Sequence, residues 1–216
     1  ADACIAEAED LLTWLIDNGS PWAPASEGLH QQFETSPKAD AERKLAGLGW
    51  GYHYPWQDAG FFQPRHFPNR VVTSWIGFAF IRAYELTEKE CYLNAAEEAV
   101  TFLLENPKRI VDTPQELRLS YVPLDDIEVA VMDVSVLSAA LCAWVARYRP
   151  ERSELGDTAI RLTRFVVNKQ TDYGAWFYTW PSKDSHITHD NYHTGIIIDC
   201  IADVMRALDD DCFIDS

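Results

Sequence analysis

The sequence predicts an all-α fold assembled as an array of helical hairpins, and three observations predict it. The first is an internal repeat. Ala8 to Trp14, Ala96 to Phe102 and Ala159 to Phe165 each place an alanine six positions before an aromatic residue. Two branched apolar residues follow each time: Leu15-Ile16, Leu103-Leu104 and Val166-Val167. A repeat with a period of tens of residues signals an array of one supersecondary unit. The second observation is that amphipathic segments alternate with segments that are apolar nearly all round. The third is composition: 47% apolar and 12% aromatic residues are ample for a core, and a chain of this length should bury roughly 70% of its unfolded surface.

Taken in order, the first segment of each unit reads as an outer helix. In the second unit Tyr92, Ala95, Ala96, Ala99, Val100, Phe102 and Leu103 share a stripe, Glu97, Glu98, Thr101 and Glu105 lie outside it, and Pro107 ends it. A loop rich in aromatics comes next: Trp50 to Trp56, Leu119 to Pro123, and Gly174 to Pro181. The second helix of each unit is predicted over Val71–Thr87, Asp133–Tyr148 and Asn191–Leu208. Trp75 to Ile81, Val134 to Val145 and Gly195 to Ile201 (apart from Asp199) are apolar on nearly every face, so these helices are expected to be buried on every face. Gly77, Ala79, Ser138, Ala139, Ala140 and Gly195 let them approach closely. Inner and outer helices in alternation curve into an α/α toroid. Residues 1–216 form one such domain, either an open arc or a portion of a longer toroid. An open arc leaves a buried-type helix uncovered at its end, so a self-partner or further hairpins are expected there.

Charge and cysteine usage narrow the class. Thirty-four acidic against eighteen basic residues give a net charge of −16, which repels phosphate backbones and argues against nucleic acid as a partner. No apolar run reaches the ~20 residues that span a bilayer. Five cysteines, with Cys91, Cys142 and Cys200 inside helical patterns and no C-x-x-C spacing, read as buried free thiols in a reducing, cytoplasmic compartment. There is no G-x-S-x-G, phosphate-cradling glycine loop or dinucleotide fingerprint.

The segment Phe165 to Trp176 contains Gln170, Gly174 and Trp176 and resembles the Q-x-x-x-G-x-W turn of terpenoid-cyclase-type toroids, where the Gln caps a helix end and the Trp stacks on its neighbour. A wider pattern covers most of the chain: Trp50-Gly51-Tyr52 with Pro55-Trp56, Pro68-Asn69 with Thr73-Ser74, Ala83 to Thr87 with Tyr92-Leu93, and Asp190 to Gly195. It is similar to toroid proteins of polysaccharide gene clusters and, more distantly, to glucuronyl C5-epimerases and six-hairpin glycosidases. The resemblance implies an α/α toroid and carbohydrate chemistry, with an oligosaccharide or polysaccharide as partner. No aspartate-rich run of the terpenoid-cyclase kind opens a helix facing the funnel.

In such an array the outer-to-inner loops share one rim. Three clusters are expected there: Tyr52, His53, Trp56, Arg65, His66, Asn69, Thr73 and Ser74; then Tyr121, Asp125, Asp126, Asp133 and Ser135; then Trp176, Tyr178, Trp180, His186, His189, Asp190, Asn191 and His193. Aromatic faces beside Asp, Asn, Arg and His suit a sugar, which needs an apolar platform and hydroxyl partners. The candidate catalytic residues are His193, Asp190 and Asp133; the candidate substrate-binding residues are Tyr52, His53, Trp56, Arg65, Asn69, Trp176 and Tyr178. Asp133 and Asp190 open neighbouring inner helices, a geometry that permits paired-carboxylate hydrolysis. It is equally the geometry of two helix N-caps. A lyase or epimerase would use His193 or His53 as base, Tyr52 or Tyr178 as acid and Arg65 to hold a uronate carboxylate. His186-x-x-His189-x-x-x-His193 has ligand-like spacing, yet Asp190 and Asn191 read as caps that put His189 off the helix, and the Glu of H-E-x-x-H is missing. No metal and no cofactor is expected. The alternative to a glycan-modifying enzyme is a non-catalytic helical scaffold.

Overall fold

The computed structural model describes residues 2–19, 45–57, 62–63, 65–123 and 128–214. Asp125 and Asp126 lie outside the described residues. Six α-helices are present among them: α1 (Asp2–Asp17), α2 (Arg70–Thr87), α3 (Glu90–Glu105), α4 (Met132–Tyr148), α5 (Glu154–Val167) and α6 (Asn191–Leu208). Two short antiparallel hairpins accompany them, β1 (Trp56–Gln57) with β2 (Phe62–Gln63) before α2, and β3 (Arg109–Asp112) with β4 (Leu117–Leu119) before α4.

Helices α2, α4 and α6 form the inner layer, with α3 and α5 behind them. The three inner helices run parallel, as contacts at matching heights show. The Ser74 and Ser138 hydroxyls are 3.5 Å apart near the start of α2 and α4, and the Tyr148 hydroxyl donates to Glu85 at 2.7 Å near their ends. Arg147 likewise donates to the Arg206 and Ala207 carbonyls at 3.1 and 3.3 Å, linking the ends of α4 and α6. All three inner helices therefore start on one rim. Close approach of α2 to α4 depends on Gly77, where a Cβ would sit 2.3 Å from Leu141 Cδ2.

The tight antiparallel pairs are inner-then-outer: α2 turns into α3 through Glu88 and Lys89, and α4 reaches α5 through a short 3-10 turn, Pro150–Arg152. Glu88 takes up the left-handed backbone (φ 57) that lets so short a link reverse the chain. The outer-to-inner connections are the long ones, and they carry the hairpins.

Burial corrects one expectation. Every residue of α4 from Met132 to Val145 is buried, because α2 and α6 flank it while α3 and α5 cover its back. Each fully buried large apolar side chain there contributes roughly 1.5–3 kcal/mol. The flanking inner helices are not enclosed on every face. Trp75 on α2 is 49% exposed and Ile198 on α6 is 54% exposed, since each has an inner neighbour on one side only among the described residues. Cys91 is likewise exposed, on the solvent side of α3, whereas Cys142 and Cys200 are buried free thiols as expected.

Gly51 connects this scaffold to the rim. A Cβ at this position would lie 1.9 Å from the Phe67 carbonyl oxygen, and the neighbouring backbone is pinned by the bond from His66 N to Tyr52 O at 2.6 Å. Gly51→Ala is expected to lose about 1–3 kcal/mol of stability through overpacking against backbone that cannot yield. A chemical-denaturation midpoint equal to wild type would show that the strand-like segment is looser than described.

Candidate functional site

The rim is built from helix starts and the loops clamped over them. At α6, Asp190 is the N-cap: its carboxylate accepts the His193 backbone N–H at 2.8 Å and pairs with His193 Nδ1 at 2.7 Å. At α2, the N-cap is Asn69, whose Oδ1 accepts from Val72 N at 2.9 Å. At α4 the cap position is Val131, and Asp133 lies two residues further on, in the first turn of the helix. Asp133 and Asp190 thus do not occupy equivalent points.

The covering loops are tied to these starts by backbone bonds. Tyr121 O accepts Arg70 N at 3.3 Å, Tyr121 N donates to Val129 O at 2.7 Å, and Met132 N donates to Tyr178 O at 2.9 Å. Arg118, itself buried, donates to the Glu128 carbonyl at 3.2 Å and the Trp180 carbonyl at 2.7 Å. Tyr178 is thereby held with its ring 4.7 Å from the His193 ring in an edge-on arrangement, and 5.3 Å from that of His186. The Tyr52 hydroxyl lies 3.5 Å from that of Tyr121.

Electrostatics single out Asp133. It is 4% exposed, and burial raises its carboxyl to about 6, against the pull of His193 and of the helix-start N–H groups of Val134 and Asp133; nearby Asp190 raises it further. Its Oδ1 has no hydrogen-bond partner. Asp190 behaves oppositely. Desolvation would raise it, but hydrogen bonds from the His193 backbone and ring outweigh this and hold it below its ordinary value. Burial raises Tyr52, with Asp133 and Tyr192 adding to the shift, and burial likewise raises Tyr121 strongly. Asp133, Asp190, His193, Tyr52, Tyr121, Tyr178 and Tyr192 therefore surround one place.

The other sequence candidates separate from it. Trp176 is 4% exposed and its indole N–H donates to the Val166 carbonyl at 2.9 Å, so it locks the end of α5 and offers no face to a ligand. Asn69 is fully buried and its oxygen is spent on the helix cap. Arg65 is exposed and sits with His53 and His66; burial first, then Arg65 and His53, lower the His66 imidazole. The influences on Asp133, strongest first, are its own burial, His193, the Val134 and Asp133 N–H groups, and Asp190; Arg65 is not among them. Trp56 is 42% exposed and touches Tyr52, its ring centroid 5.7 Å away. The three C-terminal histidines face different partners: His186 meets Tyr178, His189 pairs with the Tyr173 hydroxyl at 3.0 Å, and His193 pairs with Asp190. Among the described residues no group of three or more His, Cys, Asp or Glu is arranged to hold a metal.

Two participants escaped the sequence reading. Tyr54 stacks on Tyr52 at 5.2 Å between centroids, and Tyr192 opens α6 with 70% exposure. The clustering of Tyr52, Tyr54 and Trp56 within five residues is the signal that could have found the first, since a bend at His53 and Tyr54 brings all three rings together.

No family model matches the chain, and no curated protein matches it. Among solved structures it is similar to a GH76 α-mannanase of Bacteroides thetaiotaomicron, with a TM-score of 0.57 and 15% identity over 98% of this chain and 56% of that one. It is also similar to a D-mannose isomerase, with a TM-score of 0.51 and 14% identity over 67% of this chain and 38% of that one. The chain thus spans about half the length of the mannanase structure. At these identities the likeness establishes the fold, an all-helical α/α toroid architecture. Among the described residues no helix is long and apolar enough to cross a membrane.

The raised carboxyl of Asp133 makes stability depend on pH. Between its ordinary value of 3.8 and about 6, the unfolded chain has released this proton and the folded chain retains it. Folding stability therefore falls as pH rises through that window and is flat above it. Asp133→Asn is expected to match wild type near pH 4 and to exceed it at pH 8, by up to about 3 kcal/mol. Urea unfolding at the two pH values measures the gap; a variant less stable than wild type at pH 8 would contradict a net cost of burying this carboxylate.

Proposed function

We propose that the rim is the active site of a carbohydrate-active enzyme that moves protons on a sugar. His193 is the base and Asp133 the acid. The observation that carries this is the asymmetry of the three groups: a buried carboxyl raised toward neutrality beside an imidazole whose Nδ1 is fixed by a low-lying carboxylate. Asp190 accepting from Nδ1–H leaves the Nε2 lone pair free to take a proton, the arrangement by which a carboxylate orients a catalytic imidazole. Asp133, proton-bearing up to about pH 6, can donate to an oxygen.

The same asymmetry favours proton transfer at carbon over paired-carboxylate hydrolysis. Asp190 is occupied by two bonds from His193, so it is not a second free carboxylate. A reducing sugar in its open form carries an acidic C–H beside the C1 carbonyl. His193 takes that proton, Asp133 protonates the carbonyl oxygen, and an enediol results. Return of a proton from His193 to C1, with the O2 hydroxyl proton passing to the Asp133 carboxylate, gives the ketose isomer; return to C2, with the O1 proton passing to Asp133, gives the epimer, with no external electron carrier. Tyr178, edge-on to His193, supplies the ring wall, and the Tyr52 hydroxyl lies at the opening. Arg65 stands apart, so a neutral sugar is preferred to a uronate. The likeness of the fold to a mannanase and a mannose isomerase supports carbohydrate as the substrate class.

The test is incubation with reducing sugars in D2O. Deuterium should enter the C–H beside C1, read by NMR or mass spectrometry, and should fall at least 100-fold in Asp133→Asn and in His193→Gln, a typical scale for losing an acid–base group. Release of new reducing ends without deuterium would replace the proposal with hydrolysis. A folded wild type that neither exchanges deuterium nor binds glycans would leave the scaffold reading.

A further inference from the structure

The rim carries an aromatic strip that a single sugar unit does not account for. The chain bends at His53 and Tyr54 and gathers the rings of Tyr52, Tyr54 and Trp56 into one compact patch, with centroids 5.2 Å apart for Tyr52–Tyr54, 5.7 Å for Tyr52–Trp56 and 6.4 Å for Tyr54–Trp56. The strip begins at Tyr52, half-buried and close enough to Asp133 to feel its charge. It ends at Tyr54 and Trp56, 41% and 42% exposed. Tyr192, 70% exposed at the start of α6, stands across from Tyr52 and acts on it electrostatically. The fold already has aromatics that serve packing, and they look different. Trp50 and Trp176 are each at most 6% exposed, and each indole N–H is committed to a helix carbonyl. Tyr54 and Trp56 leave their rings in water, which forgoes roughly 1.5–3 kcal/mol of burial for each fully covered large apolar side chain. A contiguous apolar patch of this kind beside polar groups marks a binding surface.

We infer that the Tyr52–Tyr54–Trp56 strip is a further sugar-binding surface beside the reacting groups, so that the substrate is an oligosaccharide whose reducing end reaches Asp133 and His193, not a free monosaccharide. The inference rests on the reading of that pair as the reacting groups and extends it. Three properties of the molecule select the ligand. Ring faces suit the C–H faces of pyranoses. The net charge of −16 disfavours nucleic acid and other polyanions. And the strip is continuous with the acid–base pair through Tyr52, so one extended ligand can occupy both. His53, exposed and edge-on to Tyr54 at 4.9 Å, provides a polar neighbour for hydroxyls beside the rings.

The experiment uses manno-, gluco- and xylo-oligosaccharides of one to six units as probes, with binding read by calorimetry and by tryptophan fluorescence. Affinity should rise with length and then level off once the strip is filled. In Tyr54→Ala and Trp56→Ala, both exposed positions whose substitution leaves the core intact, affinity for the longest ligand should fall about tenfold for each ring lost, and the dependence on length should flatten. Trp56 fluorescence should respond to the hexasaccharides and not to the monosaccharides. Equal affinity for one and six units, or length dependence untouched in both variants, overturns the strip and leaves the proton-transfer reading standing. Deuterium exchange that fails on every sugar while length-dependent binding persists overturns the reaction and leaves the strip. Absence of binding to all probes overturns both.

Discussion

The enclosure of α4 is the constraint on which the rest depends. Its sides meet α2 and α6 and its back meets α3 and α5, so its whole length to Val145 is removed from water. Because it is apolar all round, it has no free face to slide or rotate on, and this sets the height of both neighbours. Those heights bring three helix starts to one level. A helix start concentrates unpaired N–H groups and partial positive charge, and here those donors meet Asn69, Asp133 and Asp190. The same enclosure dries the surroundings of Asp133, and drying is what raises it. Packing and acidity at this position are one phenomenon seen twice.

Opposite behaviour of two aspartates on adjacent helices follows from an offset of two residues relative to the helix cap. Asp190 precedes its helix, half in solvent, and can fold back onto the donors it caps. Asp133 follows its helix start and is carried inward with the helix, where its Oδ1 meets no donor. Environments that push the pKa values of neighbouring groups apart are the usual way a fold separates an acid from a base. Here the backbone register of α4 and α6 makes that separation, with His193 between them.

Much of this was legible in the sequence, and the parts that were not have physical reasons. The inner helices were found to within a residue because their apolar pattern is long and unbroken, and Asp190 was readable because an Asp before an apolar run is a strong cap signal. The two hairpins were invisible: strands of two to four residues carry too little periodicity to distinguish them from loop. Asp133 could be named from its position, but its character could not, since that depends on which helices close around α4. Arg65 shows the reverse error. It lies a few residues from Asn69 in sequence, yet His66 adopts a left-handed backbone (φ 63) between them, and Arg65 is exposed beside His53 and His66 while Asn69 is buried at its helix cap. Trp176 misled for a related reason: an aromatic in a polar loop looks like a platform until its indole is seen bonded beneath the loop.

Arg118 gives the rim a mechanical character. Its guanidinium is buried, which disfavours the charge, and is compensated by two carbonyls on different segments, Glu128 before α4 and Trp180 before α6. One side chain rooted in β4 therefore splices the second loop to the third, while main-chain bonds from Arg70 and Met132 fasten both to the helix starts. A frame joined in this way cannot open one panel at a time, since lifting either loop strands a buried cation. The side that Arg118 does not reach is the one where Tyr54 and Trp56 are partly exposed, so the first loop is left outside the splice.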